Sequence, residues 1–458
     1  MSDSTDSRLR VRARIRRGAL SLALVDFIFA AFIVILFLNA QDSYALLSVP
    51  ITWIASALTV IVFAGLLCVV RLPVMPGTIL FLAFGLWLLV VTFVNSAQGH
   101  YYLRMPTLMT TGYEIYVALR FANLGSAICF GWLVYYLCRQ GQQDRLIRWV
   151  VYLGTLFAVY AFYIYLANFF GFPEPPRRFS FAGAEYGHHF AAAFHRALGS
   201  FREPNVLAGW LMVPLLLSFG YRRSPINLHS VAMGVALLLT ASLSGILAVA
   251  CGLIAATVLS NPLRPSVMAR LAGVLLFGGA ILFVANELIQ VKGDYLSENV
   301  FGAFAGRLGP LFSEGLLESN RGYVFSYLLG NPVPLFGVGL GNANIDFSGD
   351  VLVSFSSLYV NILFSGGLVG ALLMAAFLAW PIFLVMFERV PMNKINFYLM
   401  AGYVAWLVKY GVTSEEIQLI SIVSYGLIMS AVHSHVVGKA APPNRGGGLE
   451  GAVFGSSS

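Results

Sequence analysis

Apolar runs of about 17 to 25 residues recur almost from end to end of this 458-residue chain, and each is long enough as a helix to cross roughly 30 Å of hydrocarbon. Short polar breaks separate them, with no room between for an independent soluble domain. With 59% hydrophobic and 10% charged residues, a soluble globule with a polar shell is excluded. The sequence therefore predicts an all-α polytopic membrane protein.

Hydropathy and the positive-inside rule together predict about twelve spans, near 19–40, 47–70, 74–95, 117–138, 147–170, 204–220, 226–241, 244–260, 266–288, 357–387, 396–412 and 417–436. With a cytoplasmic start, "CRQGQQDRLIR", "YRRSP", "NPLRPSVMAR" and "FERVPMNK" all fall inside. The hardest division is 226–260, read as two short spans meeting at "ASLSG" because arginines flank both sides, and a single pass would export one cluster. The organisation expected is a basic N-terminus at 1–18, one transmembrane domain at 19–438 with outward loops at 171–203 and 289–356, and a disordered Gly/Pro/Ser-rich cytoplasmic tail at 439–458.

Six arginines precede the first span, which is too long for a signal-peptide core, so this start is read as retained. The net charge of +8 comes largely from cations at helix ends, where topology and anionic headgroups account for them, so nucleic acid is excluded as a partner. Cys68, Cys129, Cys138 and Cys251 lie in or beside apolar runs without metal-ligand spacing and are read as packing residues.

The two long outward segments carry Arg177, Arg178, Arg196, Arg202, Lys292, Arg307 and Arg321, cations that the topology signal would keep inside. In "HRALGSFREPN", Arg196 and Arg202 flank Gly199, and Pro204 and Asn205 open the next helix, a setting that attracts anions. Headgroup snorkelling explains the same arginines equally well. In the second loop, "GVGLG" holds Gly337, Gly339 and Gly341; it lacks the context of a nucleotide fold and permits a tight turn or a close backbone approach to a ligand. Ser356 and Ser357 are positioned to cap the following helix. Asp26 and Lys409 are ionisable groups within spans, the first near the cytoplasmic end and the second within snorkelling reach of Glu415 and Glu416.

"RxxGxFxEPN" from Arg196, the later Arg321, "NPxxLFGVGLG" and "SSLYVNILFSGGLVG" together resemble the O-antigen ligase and polysaccharide polymerase superfamily of bacterial surface-glycan assembly, over roughly residues 196–370. The resemblance implies a GT-C-related glycosyltransferase of the bacterial inner membrane. It would act at the periplasmic face on a polyprenyl-diphosphate-linked glycan donor and a glycan acceptor, without metal or cofactor, beside a flippase and a chain-length regulator. Arg196 and Arg321 match the family's loop arginines. Two positions depart: Leu243 stands where relatives carry an arginine in the short helix-to-helix turn, and Ser356 where ligases carry a histidine. Arg202 and Arg120 are the candidates to replace the missing diphosphate contact. "Glu-Pro" at 203–204 and "SSLY" at 356–359 are closer to exopolysaccharide and capsule polymerases.

For a diphosphate leaving group the chemical task is to stabilise developing negative charge, which arginine does by staying ionised and donating paired hydrogen bonds. Glu203 is the first candidate for the base that takes the acceptor's proton, followed by His195, His188 and His189; an ion pair between Glu203 and an arginine is the structural alternative. Three functions stay open: polymerase, ligase to lipid A core, and lipid-linked glycan flippase or other transporter.

Overall fold

The computed structural model describes residues 22–46, 49–96, 113–175, 196–221, 226–260, 328–330, 332–340, 357–412 and 417–440. In chain order their helices are α1 (Leu22–Asn39), α2 (Ile51–Val69), α3 (Thr78–Ser96), α4 (Tyr113–Arg139), α5 (Gln143–Phe170) and α6 (Pro204–Tyr221). There follow α7 (Leu228–Leu239), α8 (Leu243–Ser260), α9 (Leu358–Phe387), α10 (Lys394–Tyr410) and α11 (Leu419–Ala440). A two-residue pairing of Ala45–Leu46 with Val49–Pro50 joins α1 to α2 and is the only sheet among the described residues. Nine of these helices are long and apolar enough to cross a membrane. The protein is an all-α, multi-pass membrane protein.

Each expected span except 266–288 coincides with a helix, and that one lies outside the described residues, as do the N-terminal arginines and the tail beyond Ala440. α7 has 12 residues where a span of 16 was expected, and α10 has 17, the length expected of it. α6 is apolar on all sides and buried along almost its whole length, which puts it at the centre of its half of the bundle. Leu67, Ile79, Phe93 and Leu372 face outward, the apolar belt that a bilayer solvates.

Packing contacts give the helix directions. Asp26 meets Arg145 at one end of α1 and α5, and Phe37 meets Phe157 farther along, so these two run parallel. Gly209 lies by Trp406, Gly402 by Val213 and Gly220 by Ile395, so α6 and α10 run antiparallel. α7 starts level with Ser218, whose carbonyl accepts from Asn227 Nδ2 at 3.3 Å, and ends level with Asn205, whose Oδ1 accepts from Ser242 just beyond it. α8 then returns beside α10. The chain thus reverses at Thr240–Ser242, and 226–260 forms two helices instead of one long one.

Caps account for several of the boundaries. Asn227 and Ser230 form a capping box at α7, Asn393 caps α10, and Ser357 caps α9 by accepting from the Val360 N–H. Gly171, with φ of 68°, ends α5 in the left-handed conformation that closes helices.

Candidate functional site

The segment that precedes α6 is clamped into the bundle. The Ala197 N–H donates to the Leu239 carbonyl at the end of α7 (2.8 Å), the Ser43 N–H donates to the Ser200 carbonyl (2.9 Å), and Ser200 Oγ donates to the Ala40 carbonyl (2.7 Å). Gly199 adopts φ of 54°, and a Cβ there would stand 3.2 Å from Ala161 Cβ on α5, so both backbone and space require glycine. Phe201 is buried against Phe157 and Trp210. Residues 196–201 were expected within an outward loop; they are buried because their backbone groups bond to the ends of α1 and α7.

Arg196 is 6% exposed. Its Nε donates to the Thr240 carbonyl (2.7 Å), and Nη2 reaches Asn205 Oδ1 (3.3 Å) and the Ala241 carbonyl (3.5 Å). Thr240 and Ala241 follow the last turn of α7, where helix carbonyls lack intrahelical partners and the dipole is negative, a natural seat for a cation. Ala241 has φ of 45°, a left-handed conformation strained for alanine, and this lets the chain turn directly into α8.

The same turn holds a second cation. Ser242 Oγ donates to Asn205 Oδ1 (2.9 Å) and accepts from the Gly245 N–H (3.3 Å), so it both caps α8 and ties it to α6. Lys409 Nζ, from the end of α10, donates to Ser244 Oγ (2.7 Å) and to Ser242 Oγ (3.4 Å). Lys409 is 1% exposed, so its ammonium sits inside the bundle instead of extending to the surface. Small residues make this reach possible. A Cβ on Gly252 of α8 would overlap the Ala401 carbonyl of α10, and one on Gly245 would stand 2.9 Å from Ala208 Cβ of α6. A Cβ on Gly209 would lie 3.1 Å from the Trp406 ring and 3.5 Å from Lys409 Cε. Three helices therefore converge on one turn, bringing Arg196, Asn205, Ser242, Ser244 and Lys409 into a single hydrogen-bonded network. The sequence singled out Lys409 as an ionisable group within a span, but not that it meets Ser242 and Ser244.

The other predicted residues are distributed as follows. Arg202 Nε pairs with Asp42 Oδ2 at 2.7 Å, tying the start of α6 to the turn after α1. Glu203 has an exposed side chain, and its carbonyl accepts from the Val206 and Leu207 N–H groups, with Pro204 at the first helical position. Arg120 lies on α4, which packs mainly against α2 and α11. Asp26 pairs with Arg145 at 2.6 Å at the opposite end of the bundle. Arg321, Gly341, Ser356, His188, His189, His195, Glu415 and Glu416 lie outside the described residues. Leu243, where an arginine was expected, is the first residue of α8.

"GVGLG" approaches protein backbone. α9 breaks at Gly367 (φ 66°, ψ −170°), which frees carbonyls one turn back. The Val338 and Gly339 N–H groups donate to the Phe364 and Ser365 carbonyls, both at 2.9 Å, and the Leu340 N–H donates to Thr92 Oγ1 at 2.8 Å. Gly337 and Gly367 have positive φ, and a Cβ on either would overlap the other strand's backbone. Irregular backbone inside a membrane protein is tolerated where protein groups satisfy it, as here.

Among the described residues no group of three or more His, Cys, Asp or Glu side chains gathers where it could hold a metal ion. Compared with protein-family models, curated proteins and solved structures, the chain matches none.

Proposed function

We propose that the protein is a GT-C-related glycosyltransferase of the bacterial inner membrane that polymerises polyprenyl-diphosphate-linked oligosaccharide repeats at the periplasmic face. One observation carries the reading: a buried arginine, Arg196, is held at a helix-to-helix turn with a second buried cation, at the end of the bundle opposite Asp26 and Arg145. The spacing of the motifs from Arg196 to Gly370 supports the same class.

In the proposed reaction, an acceptor hydroxyl attacks the anomeric carbon of the donor. The glycosidic C–O bond to the diphosphate breaks, the electron pair leaves with the diphosphate, and the hydroxyl proton passes to a base. Glu203, exposed at the start of α6, is the candidate base. Arg196, with Arg321, supplies donors to the phosphate oxygens where charge develops, the largest single contribution in reactions of this kind. Arg202, bonded to Asp42, anchors the segment that carries Arg196.

A transporter would use the break in α9 as a binding site, since broken helices expose carbonyls to cargo. The Phe364 and Ser365 carbonyls instead accept from Val338 and Gly339, which favours the enzyme. Purified protein supplied with lipid-linked repeat alone tests the proposal. A ladder of longer glycans without any core acceptor is expected. Product only when lipid A core is added makes it a ligase, and donor movement without product makes it a transporter.

A further inference from the structure

We infer that the turn between α9 and α10 holds one anionic glycerophospholipid, with its phosphate on Arg389 and the start of an acyl chain in an apolar cleft beside it. Gly220 at the end of α6 lies by Ile395 at the start of α10, so the site is at the end of the bundle opposite Arg196 and apart from the proposed reaction.

The backbone gives the first indication. Glu388 ends α9, and Arg389 follows with φ of 53°, the left-handed conformation that favours glycine or asparagine. The helix closes there: the Arg389 N–H donates to the Met386 carbonyl at 3.3 Å and the Val390 N–H to the Val385 carbonyl at 3.1 Å. Glycine would make the same turn without strain, so closing the helix does not account for an arginine. Strained positions of this kind gather where a side chain has a use.

The Arg389 side chain is exposed, and among the described residues it makes no hydrogen bond or ion pair. Its neighbour Glu388 is engaged by Lys439, whose Nζ lies 3.9 Å from Glu388 Oε2 and donates to the Glu388 carbonyl at 2.6 Å. Lys394, also exposed, opens α10. Arg389, Lys394 and Lys439 thus surround one turn that holds a single carboxylate, an excess of positive charge that suits a lipid phosphate.

The same turn carries the cleft. Val390 and Met392, one and three residues after Arg389, line it with Val385 of α9, Met400 of α10, and Ile428 and Ala431 of α11. It encloses about 220 Å³ with its open mouth included, and the surface it presents is apolar. Asn396 also lines it but donates its amide to the Pro391 carbonyl at 2.9 Å. Met386 and Phe387 at the end of α9 are exposed, so the cleft adjoins the belt that a bilayer solvates. A phospholipid in that belt meets the cleft with its chain and the cations with its phosphate. A free phosphate would leave the apolar surface uncovered, and a lipid without net charge would leave the excess of cations unbalanced.

The test is ligand retention by the full-length protein in native mass spectrometry, with phosphatidylglycerol, phosphatidylcholine of the same chains and glycerophosphoglycerol as separate probes. Wild type is expected to retain phosphatidylglycerol over phosphatidylcholine and not to retain glycerophosphoglycerol. Arg389→Asn, which suits the left-handed conformation, is expected to melt no lower than wild type. It should retain phosphatidylglycerol about fivefold less, the worth of one cation beside anionic headgroups, with phosphatidylcholine unchanged. Ala431→Leu, which fills the cleft, is expected to lower phosphatidylglycerol retention with Arg389 in place. Equal retention of the two lipids by wild type overturns the inference, as does wild-type phosphatidylglycerol retention in either variant. Glycerophosphoglycerol retained as well as the lipid makes the ligand a free phosphate and overturns it too. Should Arg389→Asn not fold, Arg389→Gly replaces it. Should Ala431→Leu not fold, a short-chain phosphatidylglycerol is compared in wild type, and retention equal to that of the long-chain lipid overturns the chain's place in the cleft. None of these readouts depends on polymer formation.

Discussion

Gly252 on α8 lies directly against the carbonyl of Ala401 on α10, with no space for a Cβ between them. This contact holds α8 and α10 close enough for Lys409 to reach Ser244. Gly252→Val must therefore push the two helices apart, an overpacking change that costs about 1–3 kcal/mol. A lowered melting temperature is expected of the variant. Wild-type stability in Gly252→Val contradicts the packing described.

Gly337→Ala and Gly367→Ala probe the docking of 332–340 onto the break in α9. Each places a side chain at a positive φ, costing about 1–2 kcal/mol before any overlap with the opposite backbone is counted. Loss of folded protein in detergent, followed by size-exclusion chromatography, is the expected outcome for both. Gly438→Ala, in open space near the end of α11, serves as the control that leaves folding unchanged.

Arg202 and Asp42 are expected to act on stability. The arginine side chain is 48% exposed, so the pair contributes about 0.2–1 kcal/mol, the range for solvent-accessible ion pairs. Arg202→Ala and Asp42→Ala should each lower the melting temperature slightly, and the double variant should lose less than the sum of the two. A loss of activity in Arg202→Ala as large as that in Arg196→Ala would instead give Arg202 a direct contact with the donor.

The sequence was most informative where the physics is local. Apolar length predicted the helices, and the arginines flanking 226–260 predicted the reversal at Thr240–Ser242, because each signal lies within or beside its own segment. Hydropathy overestimated α7, since it does not register where an apolar stretch leaves the helix to make a turn. Arg196 was identified as a candidate through its neighbours at the start of α6, but its burial was not, because the groups that hold it are the ends of α7 and α1. Pairings that join distant segments were not legible at all: Arg202 finds Asp42 across 160 residues, and Lys409 finds Ser244 across 165. The glycines of "GVGLG" were read as allowing a tight turn or close approach to a ligand; what Gly337 approaches is the protein's own broken turn at Gly367, which could be located only in three dimensions.

Arg196→Lys, reconstituted in liposomes and given the lipid-linked repeat alone, tests the catalytic proposal most directly. The ammonium keeps the charge but cannot make the paired contacts of a guanidinium, so polymer formation should fall about 10²- to 10³-fold relative to wild type, with the donor accumulating unreacted and the protein still folded. A full-length polymer ladder from the lysine variant, or none from the wild type under the same conditions, would contradict it.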